Sequence, residues 1–147
     1  MNTFLATFKV KWCDVDPYQH LRNSVYQDYG DHTRIEYFSK NGYPFKRFID
    51  AQYGPVILKT SCEYLREVLL DEHITLDCHC FLRTSDYTRW GIQHNVRKED
   101  KTLAAVLKIE GGFLDLRKRK LITPDEHVKK IMYNMPKTND FRVLHMP

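Results

Sequence analysis

A change of periodicity near the start of the chain constrains the fold more than any other feature of the sequence. Residues 4–13 alternate between apolar and polar side chains, which indicates a half-buried β-strand. Asp14, Asp16 and Pro17 break this alternation, and Pro17 cannot donate a hydrogen bond to a sheet. From Ser24 onwards, apolar and aromatic residues recur at helical spacing. The positions that carry the two patterns are Phe4, Ala6, Phe8, Val10 and Trp12, followed by Tyr26, Tyr29, Gly30, Thr33 and Tyr37. The chain is therefore expected to pass from a strand to a long helix through an acidic turn.

The start of this predicted helix is a place where a carbonyl group can be bound. Ser24 and Gln27 have the spacing of a capping box, and Asp28 adds negative charge near the positive end of the helix dipole. Backbone N–H groups at a helix start can polarise a carbonyl oxygen. A carboxylate a few residues upstream can act on the same carbonyl as a base or as a nucleophile. The two aspartates of the turn suit this chemistry, although capping and turning the chain is the alternative use of such residues.

The rest of the sequence predicts short strands, a short helical turn and a last helix that runs to about Asn134. Asn41 and Gly42 are expected to end the first helix, and residues 45–50 to form a short helical turn. The predicted strands cover residues 56–65, 74–82, 87–96 and 103–116. A last helix is expected to open with Thr123 as its cap and Pro124 at its first position.

These elements predict an α+β fold in which an antiparallel five-stranded sheet wraps around one long helix. Gly30 inside the helix is unfavourable for helix formation, so we expect it to let the helix approach the sheet closely. One domain is predicted over residues 1–135, followed by a C-terminal tail over residues 136–147 in which no pattern is visible. A single sheet of this kind has edges that need protection, and pairing with a second copy is the natural remedy.

Composition excludes several classes of protein. The chain has 147 residues and is 42% hydrophobic, which supports one packed domain and argues against disorder. No apolar run approaches the roughly 18 residues of a membrane helix, and Met1-Asn2-Thr3 lacks the basic start of a signal peptide. The protein is therefore expected to be cytoplasmic. The net charge of +4 permits a polyanionic partner without requiring one.

The four cysteines predict neither a metal site nor a disulfide framework. Cys78 and Cys80 are two residues apart in a predicted strand, so they share one face of it. A Cys-x-Cys pair without a second pair of ligands at zinc-finger spacing favours core packing over metal binding. His94 alternates with Trp90 and Ile92 and is expected in the core. The sequence contains no Ser-His-Asp arrangement, phosphate-binding glycine loop or dinucleotide-binding fingerprint.

The segment between Asp14 and Tyr26 resembles the signature of the 4-hydroxybenzoyl-CoA thioesterase family of hotdog-fold proteins. That signature has an Asp-x-Asp, a short turn, a His-Val-Asn-Asn or a variant of it, and a Tyr in the first helical turn. The matching residues are Asp14-Val15-Asp16, His20-Leu21-Arg22-Asn23 and Tyr26. The run Cys62-Glu63-Tyr64-Leu65-Arg66-Glu67 with Asp71 is similar to the family's second strand, and residues 92–96, 104–109 and Asp115 resemble its last two strands. The resemblance spans residues 8–125.

This resemblance implies roles for individual residues. The second aspartate of the signature is the family's catalytic acid, which is Asp16 here. The backbone N–H of Asn23 matches the group that polarises the thioester carbonyl. Tyr26 and His20 match positions at the substrate site, and the histidine is more often structural than catalytic. Another branch of hotdog thioesterases uses a helix carboxylate, for which Asp31 is the candidate; complementing the helix dipole is its alternative role.

One position departs from the family pattern. The family usually has glycine just before the histidine of the turn, whereas this chain has Gln19. Because glycine permits a positive φ or a close backbone approach, Gln19 predicts a different turn or a narrower acyl entrance.

Basic residues are candidates for binding the phosphates of coenzyme A. Arg83 and Arg89 occupy strand positions from which a guanidinium can reach a phosphate, and ordinary surface charge is their alternative role. The basic run at residues 117–120 is a solvated strand end or a further phosphate-binding segment. Nucleic acid is not expected as a partner, because no recognition motif accompanies this run.

Taken together, the resemblance implies an acyl-CoA thioesterase that releases a free acid and coenzyme A. Coenzyme A is part of the substrate, water is the co-substrate, and no metal or other cofactor is expected. A thioesterase for acyl carrier protein and a module that binds acyl thioesters without turnover are the alternatives. Members of the family are dimers or tetramers with active sites between subunits, so a homodimer or homotetramer is expected, with no membrane partner. The aromatic residues Trp12, Tyr18, Tyr26, Tyr29 and Trp90 suit either an aryl-binding pocket or a core.

Overall fold

The computed structural model describes residues 3–145, which form three α-helices and eight β-strands. The helices are α1 (Asn23–Lys40), α2 (Phe45–Ala51) and α3 (Glu126–Asn134). The strands are β1 (Ala6–Lys9), β2 (Tyr53–Tyr64), β3 (His73–Leu76), β4 (His79–Thr84), β5 (Arg89–Lys98), β6 (Leu103–Asp115), β7 (Lys120–Leu121) and β8 (Lys137–Leu144). A single turn of 3₁₀-helix, Trp12–Asp14, follows β1. None of the helices in this part of the chain has the length and apolar character needed to cross a membrane.

All eight strands belong to one sheet. Its central pair is β5 and β6, and β2 continues the sheet from β6 to one edge. The other side of β5 is shared, because β3 pairs with its second half and β4 with its first half. Beyond these, β1 pairs with β3, β8 pairs with β4, and β7 pairs with the end of β6. Neighbouring strands are antiparallel except β4 and β8, which are parallel.

Helix α1 packs its buried face against this sheet. The buried positions recur at helical spacing and include Val25, Tyr26, Tyr29, Thr33 and Tyr37. Gly30 lies on this buried face, where an added Cβ would stand 3.2 Å from Nη1 of Arg34, 3.3 Å from Leu107 Cδ2 and 3.5 Å from His94 Cδ2. The prediction that Gly30 lets the helix lie close to the sheet is therefore confirmed, since an added Cβ would crowd side chains of β5 and β6.

The two ends of α1 differ in how well the sequence predicted them. Gly42 follows the helix with φ of 87°, the left-handed conformation expected of a residue just beyond a helix end. At the other end, Arg22 is the N-cap residue and no side chain caps the helix. The capping box predicted for Ser24 and Gln27 is therefore wrong, because the helix begins two residues earlier than that box requires.

Asp125 fixes the start of α3. Its Oδ1 accepts a hydrogen bond from the N–H of Val128 at 2.9 Å. Its Oδ2 accepts from the hydroxyl of Tyr43 at 2.6 Å and from that of Tyr53 at 2.9 Å. The predicted cap, Thr123, lies two residues too early, since the carboxylate satisfies a helix N–H and two tyrosine hydroxyls at once.

Three strand predictions also need correction, so the sheet is larger than the five strands expected. Strand β1 ends at Lys9, and Trp12 is 73% exposed instead of continuing the apolar stripe. The strand predicted over residues 74–82 is broken between β3 and β4. The predicted tail contributes β8, which pairs with β4. Residues 1, 2, 146 and 147 lie outside the described part of the chain. They include two of the three residues on which the signal-peptide prediction rests and the end of the predicted tail.

Strand β2 is an exposed edge of the sheet. It pairs with β6 on one side, and within residues 3–145 no strand pairs with its other side. Ile57, Leu58 and Tyr64 are 46%, 52% and 53% exposed. An unpaired edge strand with exposed apolar side chains is a template for pairing with another chain.

A buried carboxylate, that of Asp77, lies at the break between β3 and β4. Its Oδ1 accepts from the N–H of Asn95 at 2.7 Å, and its Oδ2 lies 3.1 Å from Asn95 Nδ2 and 3.4 Å from His79 Nδ1. Burial raises the pKa of Asp77, but the hydrogen bonds from His79 and Asn95 outweigh burial and hold the pKa below its ordinary value. The ionised carboxylate therefore stabilises the fold.

Asp77→Asn is expected to lower the free energy of unfolding by about 1–2 kcal/mol at pH 7. Because the pKa of Asp77 is lower in the folded state, its contribution is present above the ordinary value of 3.8 and is lost as the pH falls through the folded value. The difference between wild type and variant should thus shrink between pH 7 and pH 3, as measured by urea unfolding. Asp50→Asn, at an exposed carboxylate, is the control. An equal difference at both pH values would contradict this account.

Candidate active site

A cleft of about 410 Å³ lies where α1 begins. One wall is the turn that leads into the helix, and the other is the segment at the end of β2. The cleft is lined by Asp16, His20, Leu21, Arg22, Asn23 and Tyr26 from the first wall and by Tyr64, Leu65, Arg66, Glu67 and Val68 from the second. The structure therefore brings together four of the residues singled out from the sequence, namely Asp16, His20, Asn23 and Tyr26.

A closed set of hydrogen bonds fixes the turn that carries Asp16. The N–H of Asp16 donates to the carbonyl oxygen of His20 at 2.9 Å, and the N–H of Gln19 donates to the carbonyl oxygen of Asp16 at 2.9 Å. Asp16 Oδ1 accepts from the N–H of Tyr18 at 2.9 Å and from that of His20 at 3.0 Å. Asp16 Oδ2 accepts no hydrogen bond from residues 3–145, so this oxygen is available to a substrate or a water molecule.

Gln19 adopts the conformation that glycine would permit. Its φ is 66°, in the left-handed region, at a cost of roughly 1–2 kcal/mol for a residue with a side chain. The carbonyl oxygen of Gln19 accepts from the N–H of Leu70 at 3.2 Å, which ties this turn to the second wall of the cleft. Gln19 therefore takes a left-handed backbone without being glycine, and the surrounding hydrogen bonds hold it there. That the turn differs from the family's, or that the acyl entrance is narrower, stays a prediction.

Asn23 presents a free backbone N–H beside the cleft. The residue is exposed, and within the described residues its N–H has no acceptor. The next two N–H groups are satisfied locally, because Ser24 donates to Asn23 Oδ1 at 3.0 Å and Val25 donates to the carbonyl oxygen of Arg22 at 2.9 Å. Asn23 thus keeps one of the unpaired donors that every helix start carries.

Asp14, the first aspartate of the motif, is engaged in structural hydrogen bonds. Its Oδ2 accepts from the hydroxyl of Tyr29 at 2.6 Å and from the N–H of Lys11 at 3.3 Å. Its carbonyl oxygen accepts from the N–H of Arg22 at 2.8 Å. Burial raises the pKa of Asp14, but the hydrogen bonds to its carboxylate outweigh burial and keep the pKa below its ordinary value. Asp14 therefore fastens the turn to α1, and sequence reasoning did not anticipate the part that Tyr29 plays.

His20 and Tyr26 join the two walls of the cleft. His20 Nε2 lies 2.9 Å from Glu67 Oε2. The buried ring of Tyr26 packs edge-to-face against Tyr64, with centroids 5.1 Å apart. Burial raises the pKa of Tyr26, so its hydroxyl stays protonated at neutral pH. Glu67 and Tyr64 belong to the run that matched the family's second strand, but that match gave no reason to place them at the site.

Within one chain, Arg83 and Arg89 do not reach this cleft. The guanidinium of Arg83 lies over the ring of Tyr87, 4.1 Å from its centroid, and Arg89 begins β5 opposite Gly112. The cleft adjoins the end of β6 that carries Ala105, and seven residues of strand separate Ala105 from Gly112. The distance along β6 from Ala105 to Gly112, opposite Arg89, is therefore about 23 Å.

Two of the four cysteines, Cys78 and Cys80, lie in the core together with His94, as the sequence predicted, whereas Cys13 is exposed. In the part of the chain that the structure describes, no three His, Cys, Asp or Glu side chains come together in a way that could hold a metal ion.

Comparison with known proteins identifies the family. The profile of a family described as the thioesterase-like superfamily matches residues 10–132. No curated protein matches the sequence. Among solved structures, the chain is similar to the hypothetical protein SAV2348 from Staphylococcus aureus in complex with CoA, with a TM-score of 0.82 and 20% identity over 94% of this chain and 89% of that one.

Two further structures share the fold. The 1,4-dihydroxy-2-naphthoyl-CoA thioesterase Slr0204 from Synechocystis has a TM-score of 0.81 and 11% identity, covering 90% of this chain and 97% of that one. The DHNA-CoA thioesterase from Staphylococcus aureus has a TM-score of 0.78 and 14% identity, covering 88% and 90%. The chain therefore belongs to the thioesterase-like superfamily, a family of thioester hydrolases with the hotdog fold.

Proposed function

We propose that this protein is an acyl-CoA thioesterase in which Asp16 and the N–H of Asn23 act on one thioester carbonyl. The observation that carries the proposal is the presence, in one cleft, of a carboxylate oxygen and a backbone donor that both lack partners within residues 3–145. The two groups have complementary uses, because the donor can stabilise an oxyanion while the carboxylate supplies a base or a nucleophile.

The reaction follows from these two groups. The carbonyl oxygen of the thioester accepts a hydrogen bond from the N–H of Asn23, which stabilises the negative charge that develops on that oxygen. Asp16 Oδ2 either attacks the carbonyl carbon directly or takes a proton from a water molecule that attacks it. In the first route the carbon–sulfur bond breaks as a mixed anhydride forms between the acyl group and Asp16, and water then hydrolyses that anhydride to the free acid and restores the carboxylate. In the second route the water molecule adds to the carbonyl carbon, and the carbon–sulfur bond then breaks to give the free acid. In both routes coenzyme A leaves as a thiolate that takes up a proton released from the water. No metal or redox cofactor takes part in either route.

Coenzyme A is the carrier that best fits the available observations. A solved structure with the same fold holds CoA, and the net charge of +4 suits the phosphates of a nucleotide. Arg83 and Arg89 are proposed to contact those phosphates. This contact requires an assembly in which their end of the sheet lies next to the cleft of another copy.

The active form is a homodimer joined through β2. This edge is unpaired within residues 3–145 and exposes Ile57, Leu58 and Tyr64. Pairing it with a second copy would satisfy the free backbone groups and cover those side chains.

The carrier is tested by comparing one acyl chain on coenzyme A and on acyl carrier protein. We expect thiol release from the coenzyme A thioester with a kcat/KM at least tenfold higher. A higher kcat/KM with the protein carrier would show that acyl carrier protein, and not coenzyme A, carries the natural acyl group. Binding of acyl-CoA without thiol release would establish a non-catalytic binding module and overturn the proposal.

Tyr29→Phe is expected to lower kcat about tenfold with little change in KM. The change removes the hydroxyl that holds Asp14 at 2.6 Å and keeps the ring, which stacks on Phe8 with centroids 4.3 Å apart. Loosening the turn misplaces Asp16, and small misplacements of a reacting group are costly in rate. Steady-state kinetics with an acyl-CoA substrate measures the effect. Tyr37→Phe is the matched control, because the Tyr37 hydroxyl makes no hydrogen bond to any described residue. Equal rates for both variants would show that the Tyr29 hydroxyl does not position the turn.

A further inference from the structure

A second pair of titratable side chains lies in the cleft beside Asp16. His20 and Glu67 both line the cleft, one on each wall, and His20 Nε2 lies 2.9 Å from Glu67 Oε2. Nothing in the proposed chemistry uses either side chain. That chemistry also leaves one task without a residue, because water must hydrolyse the mixed anhydride of the first route. Water is a weak nucleophile unless a base takes its proton.

The contact between these two side chains is not needed to join the walls of the cleft. Backbone hydrogen bonds already do so. The N–H of Leu21 donates to the carbonyl oxygen of Val68 at 2.7 Å, and the N–H of Leu70 donates to that of Gln19 at 3.2 Å. The two side chains of the pair remain 42% and 59% exposed, and an ion pair with that much exposure contributes little to stability. Its place in the cleft therefore points to a role in the reaction.

His20 is held next to the reacting carboxylate. The N–H of His20 donates to Asp16 Oδ1 at 3.0 Å, and the carbonyl oxygen of His20 accepts from the N–H of Asp16 at 2.9 Å. The backbone on both sides of the His20 side chain is thus bound to Asp16. The imidazole therefore stays beside this carboxylate while the acyl group is attached to it.

Glu67 determines which ring nitrogen of His20 is available. A carboxylate accepts hydrogen bonds and does not donate them, so the nearby Glu67 favours the imidazole tautomer with its proton on Nε2. Nδ1 then keeps its lone pair, and it has no hydrogen-bond partner among residues 3–145. Glu67 is itself fixed, because Lys98 Nζ donates to its carbonyl oxygen at 3.2 Å. An imidazole oriented by a carboxylate, with its other nitrogen free, is suited to act as a general base.

We infer that His20 is the base that activates the water molecule which hydrolyses the anhydride on Asp16, and that Glu67 positions it. The inference rests on the proposed function and selects its first route. The water oxygen bonds to the acyl carbon while His20 Nδ1 takes a proton from the water. The bond between that carbon and Asp16 Oδ2 breaks, which restores the carboxylate. Glu67 stabilises the imidazolium, which then gives its proton to the thiolate of coenzyme A.

Pre-steady-state thiol release by His20→Gln separates the two steps, with the better of octanoyl-CoA and benzoyl-CoA as substrate. Glutamine keeps a side-chain N–H near Glu67 but is not a base, so attack by Asp16 should persist while hydrolysis of the anhydride slows. We expect a fast phase of one thiol per site, within about threefold of the wild-type rate, and then steady release about 10²-fold slower than wild type. Equal slowing of the first and later turnovers, or steady release at the wild-type rate, would overturn the inference.

Glu67→Gln tests the positioning role, since it keeps the size of the side chain and removes its charge. We expect kcat to fall about tenfold with KM within about twofold of wild type, and the same fast phase of one thiol per site. Glu63→Gln is the matched control, because Glu63 is an exposed carboxylate on β2 that forms no ion pair within the described residues. A higher KM with unchanged kcat, or equal kcat in the two variants, would show that Glu67 does not act through His20.

Added imidazole tests the base independently of the first turnover. Imidazole should raise the kcat of His20→Ala at least about fivefold above the enzyme-free reaction, whereas Asp16→Asn should gain nothing. No recovery in a His20→Ala protein that unfolds in urea like wild type would overturn His20 as the base. Wild-type turnover that depends on Asp16 would still support the thioesterase in that case, whereas no turnover by wild type would remove the proposed function itself.

Discussion

Asp16→Asn is expected to lower kcat/KM for an acyl-CoA by about 10²–10⁴-fold, because the positioned carboxylate supplies the base or the nucleophile. The substitution isolates chemistry from structure. Asparagine keeps an oxygen that accepts the hydrogen bonds now made by Tyr18 at 2.9 Å and His20 at 3.0 Å, so the turn should persist. The atom that changes is Oδ2, which accepts no hydrogen bond from the described residues. Steady-state thiol release measures the loss.

The control for this variant is Asp28→Asn, at an exposed carboxylate in the first turns of the same helix. It alters the charge near the helix start by the same amount and leaves Asp16 in place. We expect its kcat/KM to stay within about threefold of wild type, because an exposed charge is largely screened. Similar losses in both variants would assign the effect to helix electrostatics. Turnover by Asp16→Asn within fivefold of wild type would remove Asp16 from the mechanism.

Gly111→Ala is expected to destabilise the protein by more than about 3 kcal/mol. Gly111 lies on β6 between Ile57 of β2 and Trp90 of β5. A Cβ at this position would stand 2.2 Å from the carbonyl oxygen of Val56 and 2.4 Å from the Trp90 ring. The carbonyl belongs to the paired backbone and cannot rotate away, so the strands must separate. Urea unfolding followed by tryptophan fluorescence measures the change.

Gly54→Ala is the matched control, because it lies in the same pair of strands. An added Cβ at Gly54 would meet only Phe48 Cβ at 3.8 Å, an ordinary contact. We expect the free energy of unfolding to change by less than about 0.5 kcal/mol. Equal effects of the two substitutions would show that the close approach at Gly111 does not limit stability.

The sequence predicted most of the fold because its strongest signals are local. Alternation identified β5 and placed His94 in the core, and Gly42 marked the end of α1. The errors arise where a distant partner decides the outcome. Strand β8 forms because β4 offers a free edge, which residues 137–144 do not reveal by themselves. Asp125 replaces Thr123 as a cap because two tyrosine hydroxyls come to it from elsewhere in the chain.

The candidate site was predictable in part for the same reason. Asp16, His20, Asn23 and Tyr26 lie within eleven residues of one another, so a motif could place them in one cleft. The hydroxyl of Tyr29 on Asp14 was not foreseen, since hydrogen bonds between a helix and the turn before it leave no periodic signal. The contact of Glu67 with His20 was not foreseen either, because the two residues lie far apart in the sequence and only the fold brings them together.

Multiple-turnover thiol release from an acyl-CoA that the wild-type protein binds tests the central claim most directly. We expect steady release at roughly 1–10³ s⁻¹ per site, continuing until the substrate is exhausted, with one free acid formed for each thiol. Release no faster than that of the Asp16→Asn protein, from a folded and acyl-CoA-binding wild type, would contradict the claim that this cleft hydrolyses acyl-CoA.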